Sequence, residues 1–312
     1  MDKDEVLVTG GAGFIGSHLT AALLERGYRV RVLDNLSSGR RENLAGLDVT
    51  FIEGDVADWG VVRVAVEGCS LVFHQAAFVS APRSILEPEL NHQTNVQGAF
   101  HVLEAARQAG VRRVVYASSA AIYGNQPGLP KRESDPPDPI TPYAAAKLMN
   151  EIYAATYTAA YGMELVGLRY MNVFGPRQDP SSPYSGVLSI FCRAALRGAT
   201  CTVYGDGEQT RDFVYVADVV QANLRAAEVP FDRCGVGAVF NVGRGQQTSL
   251  NQILVILGEL VGQPIPAVYK DERPGDIKHS LADIGRARAI LGFDPAVTIR
   301  EGLRATLDWF RP

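Results

Sequence analysis

The sequence predicts an α/β chain in which a doubly wound parallel sheet is joined to a smaller C-terminal domain. Three observations lead there. Up to Tyr170, short β-branched runs alternate with longer helical stretches. A glycine-rich turn, Gly10-Gly11-Ala12-Gly13-Phe14-Ile15-Gly16, stands between the first run and the first stretch. From Asn172 the alternation gives way to turn-dense, irregular segments. Strands that alternate with helices are joined by crossovers, which set the strands parallel and cover both faces of the sheet.

Val6-Leu7-Val8-Thr9 is apolar enough for a buried strand. Residues 14–26 follow as a helix whose apolar positions Ile15, Leu19, Ala22 and Leu23 share one face. Val30-Arg31-Val32-Leu33-Asp34 is the second strand. Leu71-Val72-Phe73-His74, Val114-Val115-Tyr116-Ala117 and Leu165-Val166-Gly167-Leu168-Arg169-Tyr170 repeat the pattern. Residues 94–109 and 143–161 are helical stretches rich in alanine. Small side chains let helices approach closely, which suits packing on the sheet or a helix-bundle contact with a second copy. Phe174-Gly175-Pro176-Arg177-Gln178-Asp179-Pro180-Ser181-Ser182-Pro183 is a loop dense in turn residues. After it come a helix near 188–196, short strands, a helix over 250–260, a loop over 272–276 and a closing helix over 300–310. Irregular connections of this kind suit ligand binding. The expected division is a first domain over 1–171, with a later return segment around 211–243. The second domain spans 172–312, mainly 172–210 and 244–312.

Composition narrows the function classes. Of 312 residues, 46% are hydrophobic and 21% charged, which excludes a mainly disordered chain. A formal charge of −4 gives no electrostatic case for a nucleic-acid or anionic-membrane binder. No uninterrupted apolar run reaches the ~18 residues of a membrane span. The chain enters a strand almost at once, leaving no room for a signal peptide. Cys69, Cys192, Cys201 and Cys234 form no CxxC pair and no metal-ligand spacing with histidine. A reduced, cytoplasmic protein without a structural metal is expected.

The glycine turn satisfies G-x-G-x-x-G from Gly11 and also the wider spacing Gly10, Gly13, Gly16. Glycines there permit a tight turn and bring backbone N–H groups to a pyrophosphate at the helix N-terminus, where the dipole favours negative charge. Asp34, closing the second strand, is suited to hydrogen-bond an adenosine ribose diol. It would repel a 2′-phosphate, which favours NAD over NADP. Arg40 and Arg41 lie just beyond and are the residues that could rescue a 2′-phosphate. Gly54-Asp55-Val56, after the third strand, is the candidate adenine contact, with a helix N-cap as the plain alternative for Asp55. Tyr143 and Lys147 stand at i and i+4 on a helix that starts after Pro142. An ammonium beside a phenol favours the phenolate and lowers the tyrosine pKa towards the working range. Only five of the 30 basic residues are lysines, so a lysine kept here is informative. Ser118-Ser119 ends an intervening strand.

These motifs continue along the chain in a fixed order. They are Gly10 to Gly16, Asp34-Asn35-Leu36-Ser37-Ser38-Gly39, Gly54-Asp55-Val56, His74-Gln75-Ala76-Ala77, Asn95, and Ser118-Ser119-Ala120-Ala121-Ile122-Tyr123-Gly124. Tyr143 with Lys147, Leu168-Arg169-Tyr170-Met171-Asn172-Val173-Phe174-Gly175, Gly205-Asp206-Gly207, Arg211-Asp212-Phe213 and Arg273-Pro274-Gly275-Asp276 complete the set. With them the chain resembles, essentially end to end, the extended short-chain dehydrogenase/reductases of the Rossmann fold. Within these it is most similar to the UDP-sugar 4-epimerases of the UDP-galactose or UDP-N-acetylglucosamine type. Pro82-Arg83-Ser84, Arg177-Gln178-Asp179-Pro180 and His279-Ser280-Leu281-Ala282-Asp283 look most like the branch acting on N-acetylated sugars.

The resemblance implies roles. Tyr143 is base and acid, Lys147 holds the nicotinamide ribose and lowers the tyrosine pKa, and Ser119 shares the proton of the sugar O4. Contacts to NAD are implied at Gly10, Gly13, Phe14, Ile15 and Gly16, at Asp34, Asn35, Ser37 and Gly39, and at Asp55 and Val56. Gln75, Ala76, Ala77, Ala117, Tyr170 and Asn95 join them, with Asn95 expected to support the site rather than do chemistry. His74, at a strand end, is read as structural rather than as a base. For the UDP-sugar, Asn172 is the diphosphate-proximal amide, and Arg211 and Arg273 are suited to bidentate phosphate contact. Asp276 is the uridine ribose contact, and Tyr204, with Thr202 nearby, offers an aromatic face to uracil. Gly186 and Val187 replace an Asn-Leu of other members at backbone contacts. Ser280 borders the C2 side of the sugar, where serine accompanies tolerance of an acetamido group and tyrosine its exclusion. Ser80 adds a hydrogen bond to that acetamide.

The 4,6-dehydratase relatives carry Asp-Glu directly after the Ser/Thr, and the decarboxylases carry a Glu; here those positions are Ala120 and Ala121. The simplest fate of a 4-keto sugar is then reduction from its other face, which yields the C4 epimer. NAD is regenerated at each turnover and is expected to stay bound. A homodimer through 94–109 and 143–161 is implied as well. Alternatives on the same fold are a UDP-glucuronate 4-epimerase, with Arg83 or Arg177 on the carboxylate, a nucleotide-sugar 2-epimerase, or a reductase consuming NAD(P)H. A non-catalytic NAD-binding regulator is disfavoured by the joint presence of Tyr143, Lys147 and Ser119.

Overall fold

The computed structural model describes residues 4–180, 186–272 and 277–311. The first half runs β1 (Glu5–Thr9), α1 (Phe14–Glu25), β2 (Arg29–Asp34), β3 (Val49–Glu53), α2 (Trp59–Val66), β4 (Leu71–His74), α3 (Ala81–Leu86) and α4 (Pro88–His92). It continues through α5 (Gly98–Gln108), β5 (Arg113–Ser119), α6 (Pro142–Tyr161) and β6 (Glu164–Tyr170). The second half holds β7 (Asn172–Phe174), α7 (Val187–Leu196), β8 (Cys201–Tyr204), β9 (Thr210–Tyr215), α8 (Val216–Glu228) and β10 (Val239–Val242). β11 (Gln247–Ser249), α9 (Leu250–Val261), β12 (Ala267–Lys270), α10 (Gly285–Leu291) and α11 (Ile299–Phe310) close it.

Seven strands form one sheet in the order β10-β6-β5-β4-β1-β2-β3, every pair parallel. A strand covered on both faces has no reason to alternate polar with apolar, and Val6, Leu7 and Val8 are all fully buried. Val6 and Val8 join Leu19 and Leu23 of α1 and Val219 of α8 in one layer. Leu7 points the other way, to Val62 and Val66 of α2, Val102 of α5 and Tyr157 of α6. The strand order reverses between β1 and β4, which opens a crevice at their C-terminal ends. A three-stranded sheet, β11-β9-β7, and a parallel pair, β12-β8, lie outside the main sheet. They share a third core with Phe191 of α7, Leu257 of α9 and Leu303 of α11.

Two features depart from the sequence reading. The single helix expected over 94–109 is interrupted: α4 passes into a π-helical turn, Gln93–Gln97, before α5 continues. Asn95 sits inside that widened turn. The return segment around 211–243 also divides. β9 takes β7 as a parallel neighbour in the small sheet, whereas β10 joins β6 in the large one. Among the described residues no helix is long and apolar enough to cross a membrane, and no group of three His, Cys, Asp or Glu could hold a metal ion.

Candidate active site

Thr9 and His74 end β1 and β4 side by side, on the floor of the crevice. The Thr9 hydroxyl accepts the Ala76 N–H at 3.2 Å and is 2.8 Å from His74 Nδ1, to which it can donate. Burial first, and the Lys147 charge second, push the His74 pKa down to about 3. A neutral ring held by a neighbouring strand is a structural element.

The glycine turn rises from Thr9. Gly10 takes φ +69°, and a Cβ there would meet the Ala76 nitrogen at 2.7 Å. A Cβ on Gly16 would meet the Gly10 carbonyl oxygen at 2.1 Å, so α1 can start against the turn only without one. Gly13 is the N-cap of α1; among the described residues no side chain caps it and the first turn holds no acid. The N–H groups that open α1 are therefore unoccupied by side chains, in a positive field, as a dinucleotide pyrophosphate requires.

Asp34 is buried at the end of β2. Its carboxylate accepts the Ala12 N–H at 2.9 Å and the Leu36 N–H at 2.8 Å. Burial pushes its pKa up and these N–H groups hold it down. A side chain on Gly39 would come within 2.9 Å of both carboxylate oxygens, so this glycine leaves the acid room. Asn35 donates to Asp55 at 2.8 Å and accepts the Ser37 N–H at 3.0 Å, which gathers these three beside Asp34. Arg40 and Arg41 are already paired, with Asp179 at 2.8 Å and Glu53 at 2.9 Å. Neither is waiting for a 2′-phosphate, in keeping with NAD.

The candidate catalytic group assembles at the end of β5. Thr141 accepts the Ala144 N–H at 3.2 Å as the N-cap of α6, and Pro142 fills the first helical position. Lys147 is 3% exposed; its Nζ donates to the Ala117 carbonyl at 2.9 Å, and burial pushes its pKa down to about 8. The ammonium lies 5.9 Å from the centre of the Tyr143 ring. Enclosure pushes the Tyr143 pKa up, and the hydrogen bond with Ser119 pulls it down. The downward pull on the phenol comes from Ser119, with the Lys147 charge above its ring. Ser119 also accepts the Ala121 N–H at 3.1 Å, which caps the short 3₁₀ turn Ala120–Tyr123.

Several implied contacts have their polar atoms engaged within the protein. Tyr170 donates to Gln75 Oε1 at 3.1 Å and accepts from Asn223 Nδ2 at 2.8 Å, and Gln75 Nε2 donates to Asn223 at 3.0 Å. Asn95 accepts the Phe78 N–H at 2.9 Å and donates to the Phe78 carbonyl at 3.0 Å and to Asn91 at 2.8 Å. Asn91 in turn donates to the Pro142 carbonyl at 3.1 Å. Asn95 therefore reaches the start of α6 through Asn91. Ser80 caps α3 by accepting the Arg83 N–H at 3.2 Å. Arg83 forms a two-pronged pair with Glu87 at 2.7 and 2.9 Å.

On the other side of the crevice, Asn172 opens β7 and is exposed, and Gly186 and Val187 start α7. Thr202 and Tyr204 lie on β8. Arg211, on β9, donates to the carbonyls of Thr210 at 2.9 Å and Lys278 at 3.1 Å. Ser280 is held by its N–H on the Thr210 carbonyl at 3.1 Å. Its Oγ is buried and has no hydrogen-bond partner among the described residues. It lines a cavity of about 280 Å³ with Ala120, Tyr123, Gln126, Met171 and Lys278, so the cavity reaches the residue next to Ser119. Arg273 and Asp276 lie outside the described residues. Ser84, which accepts the Tyr143 N–H at 3.0 Å, was read only as part of the Pro82-Arg83-Ser84 string, and Asn91 and Asn223 were missed; their partners on distant elements left no local signal.

The profile of the NAD dependent epimerase/dehydratase family matches residues 6–243. The UDP-glucose 4-epimerase of Mycolicibacterium smegmatis is 41% identical over 311 residues, 98% of each chain. The solved UDP-glucose 4-epimerase of Thermotoga maritima, with UDP-glucose, superposes with a TM-score of 0.93 at 42% identity over 98% of both chains. A UDP-N-acetylglucosamine 4-epimerase from Methanobrevibacter ruminantium M1, in complex with UDP-N-acetylmuramic acid, superposes with a TM-score of 0.93 at 40% identity over 99% of both. The dinucleotide turn, the acid that ends β2 and similarity over almost the whole length agree: the chain belongs to the NAD-dependent epimerase/dehydratase family of extended short-chain dehydrogenase/reductases.

Proposed function

We propose that the protein is a UDP-hexose 4-epimerase that interconverts UDP-glucose with UDP-galactose, and UDP-N-acetylglucosamine with UDP-N-acetylgalactosamine, through a transient 4-keto sugar. The observation that carries this reading is the placement of the buried Tyr143 beside Ser119 and the buried Lys147, at a strand end followed by two alanines. Tyr143 takes the O4 proton and returns it, and Ser119 shares it on the way. Lys147, fixed on the Ala117 carbonyl, supplies a positive charge below about pH 8 and a donor for the nicotinamide ribose. NAD, when bound, supplies a reversible acceptor for the two electrons leaving C4. Gly10, Gly13, Phe14, Ile15 and Gly16 would hold its pyrophosphate, Asp34, Asn35, Ser37 and Gly39 its adenosine ribose, and Asp55 and Val56 its adenine. Ala120 and Ala121 place no acid or base where a relative would expel water or carbon dioxide.

The rest is positioning. Asn172, Gly186, Val187, Thr202, Tyr204, Arg211, Arg273 and Asp276 hold the uridine diphosphate, while the sugar stays free to present either face. The unpartnered Ser280 hydroxyl, in its cavity, supports room for an acetamido group on C2. Residues 1–171, with β10 of the return segment, serve mainly the cofactor, and the remainder, Arg211 included, mainly the UDP-sugar. The enzyme works as a homodimer joined through α5 and α6, whose exposed Phe100, Ile152, Tyr153 and Tyr161 support that contact. The pairing of Arg83 with Glu87 removes one of the two cations that a uronate-specific enzyme would use.

Purified protein incubated separately with UDP-galactose, UDP-N-acetylglucosamine and UDP-glucuronate, without added cofactor, tests the reading. The expected products are the C4 epimers of the first two, with the third left unchanged. A requirement for added NADPH with net reduction, or turnover of UDP-glucuronate alone, would overturn it.

A further inference from the structure

A buried polar chain runs from the catalytic helix to the sugar-side wall of the cavity. It starts at Glu151, on the same face of α6 as Tyr143 and Lys147, at successive steps of four residues. The Glu151 carboxylate accepts the Ser118 hydroxyl and takes Arg169 in a fork, at 2.9 Å from Nε and 2.7 Å from Nη2. Ser118 precedes Ser119 on β5, and Arg169 stands opposite Ser118 in the β5–β6 ladder. Arg169 Nη1 donates to the Tyr123 hydroxyl at 2.9 Å, and that hydroxyl donates to Asn241 Oδ1 at 2.6 Å. Asn241 Nδ2 then donates to the carbonyls of Lys131 at 2.9 Å and Asp283 at 3.1 Å. Lys131 and the segment carrying Ser280 are themselves stitched together, Lys131 N–H to Leu281 O and Asp283 N–H to Lys131 O, both at 2.8 Å.

Ser118, Glu151, Arg169, Tyr123 and Asn241 are each at most 8% exposed. A buried ion pair is a poor source of net stability, because desolvating both charges offsets most of their attraction. Its two-pronged geometry is directional instead, since a planar guanidinium meets a carboxylate in few orientations. Tyr123 is no second acid–base group: burial pushes its phenol up to about 12, and its hydroxyl is engaged as donor and as acceptor. It does stand at the joint of the site. Tyr123 ends the turn that Ser119 caps, and it lines the same cavity as Ser280.

We propose that the Glu151–Arg169–Tyr123–Asn241 chain positions the reacting groups, setting Ser119, the Tyr143–Lys147 face of α6 and the Ser280 wall in one register. The proposal rests on the epimerase reading. Proton transfer needs hydrogen-bond reach, so a small displacement of Ser119 or of the sugar wall against Tyr143 slows the reaction. The uridine diphosphate contacts and the glycine turn, with the Asp34 and Asp55 segments, lie on other elements, so the grip on the uridine diphosphate and on the adenosine and pyrophosphate of the dinucleotide should be spared.

Tyr123→Phe deletes one oxygen and keeps the ring. It is expected to lower kcat by about tenfold or more with KM within about twofold, the signature of a group that acts on the reaction rather than on binding. It should also shift the ratio of UDP-N-acetylglucosamine to UDP-galactose turnover, because the Ser280 wall loses its tie, while bound NAD per chain stays unchanged. Should Tyr123→Phe not fold, Ser118→Ala, at the far end of the chain, is expected to give the same split at smaller size. The assay uses whichever UDP-hexose the wild type turns over. A wild type inactive on all of them sinks the epimerase reading and this proposal with it. An active wild type whose folded variant keeps kcat within about twofold, or changes only KM or only its melting temperature, overturns this proposal alone.

Discussion

Burial pushes the pKa of the Tyr143 phenol up, and Ser119 pulls it down. Tyr143→Phe removes the proton carrier and keeps the ring, so turnover should fall by about a thousandfold or more, within the usual span for a general acid–base group. Steady-state kinetics should register that loss, and calorimetric titration should find UDP-sugar affinity unchanged; retention of most of kcat would remove Tyr143 from its role. Ser280→Tyr fills the cavity beside an unpartnered hydroxyl. It should suppress UDP-N-acetylglucosamine turnover by about a hundredfold while sparing UDP-galactose, because steric exclusion rejects one substrate without touching the other. Equal loss on both would show that Ser280 is no gate. His74 has its consequence in stability. Its folded pKa of about 3 lies below the ordinary 6.5, so between those values the unfolded chain binds the extra proton and acid favours unfolding. Stability should fall as pH drops through that window, by at most ~1.4 kcal/mol per pH unit, and urea titrations of His74→Asn should show a flatter slope. What the sequence makes legible at this scale is short-range: Tyr143 with Lys147, or Gly10 with Gly16, sit within one turn of chain. Gln75 and Asn223 bond across 148 residues, and no local pattern states which strand ends will meet.

Elements are most legible where one period runs without interruption between turn residues. β4 is a short apolar run closed by a histidine (Leu71–His74), and α9 carries the reciprocal cap of Ser249 and Gln252 at its start. α8 is hidden because it follows β9 directly, Tyr215 to Val216, with neither glycine nor proline between them. The π turn at Gln93–Gln97 is hidden for a different reason. It widens a helix without changing its composition, and what holds it open is the bonding of Asn95 to the Phe78 backbone. The outer face of α5 and α6 makes its own prediction. Phe100, Met149, Ile152, Tyr153 and Tyr161 are exposed there, with Phe100 and Tyr153 edge to face at 5.9 Å between ring centres. Apolar surface gathered on two adjacent helices calls for a partner, and a second copy supplies the same face by symmetry. Sedimentation equilibrium should find a dimer at micromolar concentration, and Ile152→Glu should dissociate it into folded monomers. A wild type that sediments as a monomer would refute the contact.

At the scale of the whole molecule, the reversal of strand order between β1 and β4 opens a crevice with the glycine turn at the end of β1 and the candidate catalytic group across β4, at the end of β5, as the alternation of strands and helices leads one to expect. The loop after β7 is tied to the segment after β2 and to α1: Asp179 to Arg40, and the Pro176 carbonyl to His18 Nε2 at 3.0 Å. The edge strand β10 has a further consequence, for synthesis. β1 to β6 leave the ribosome in time to pair with one another, yet β6 keeps one side bare until Val239–Val242 arrive, after the chain has built β7, β8 and β9 elsewhere. Non-local parallel pairing is slow, and an uncovered edge invites pairing with another chain in the meantime. A fragment ending at residue 171 should therefore aggregate on dilution from urea, since it lacks both the cover for β6 and the fully buried Phe240, whereas the full chain refolds. Sedimentation velocity would separate the two, and a soluble fragment that unfolds cooperatively would disprove the dependence. The sheet begun first stays unfinished while three strands of the smaller sheets are made, and the nascent chain must be kept from its neighbours until then.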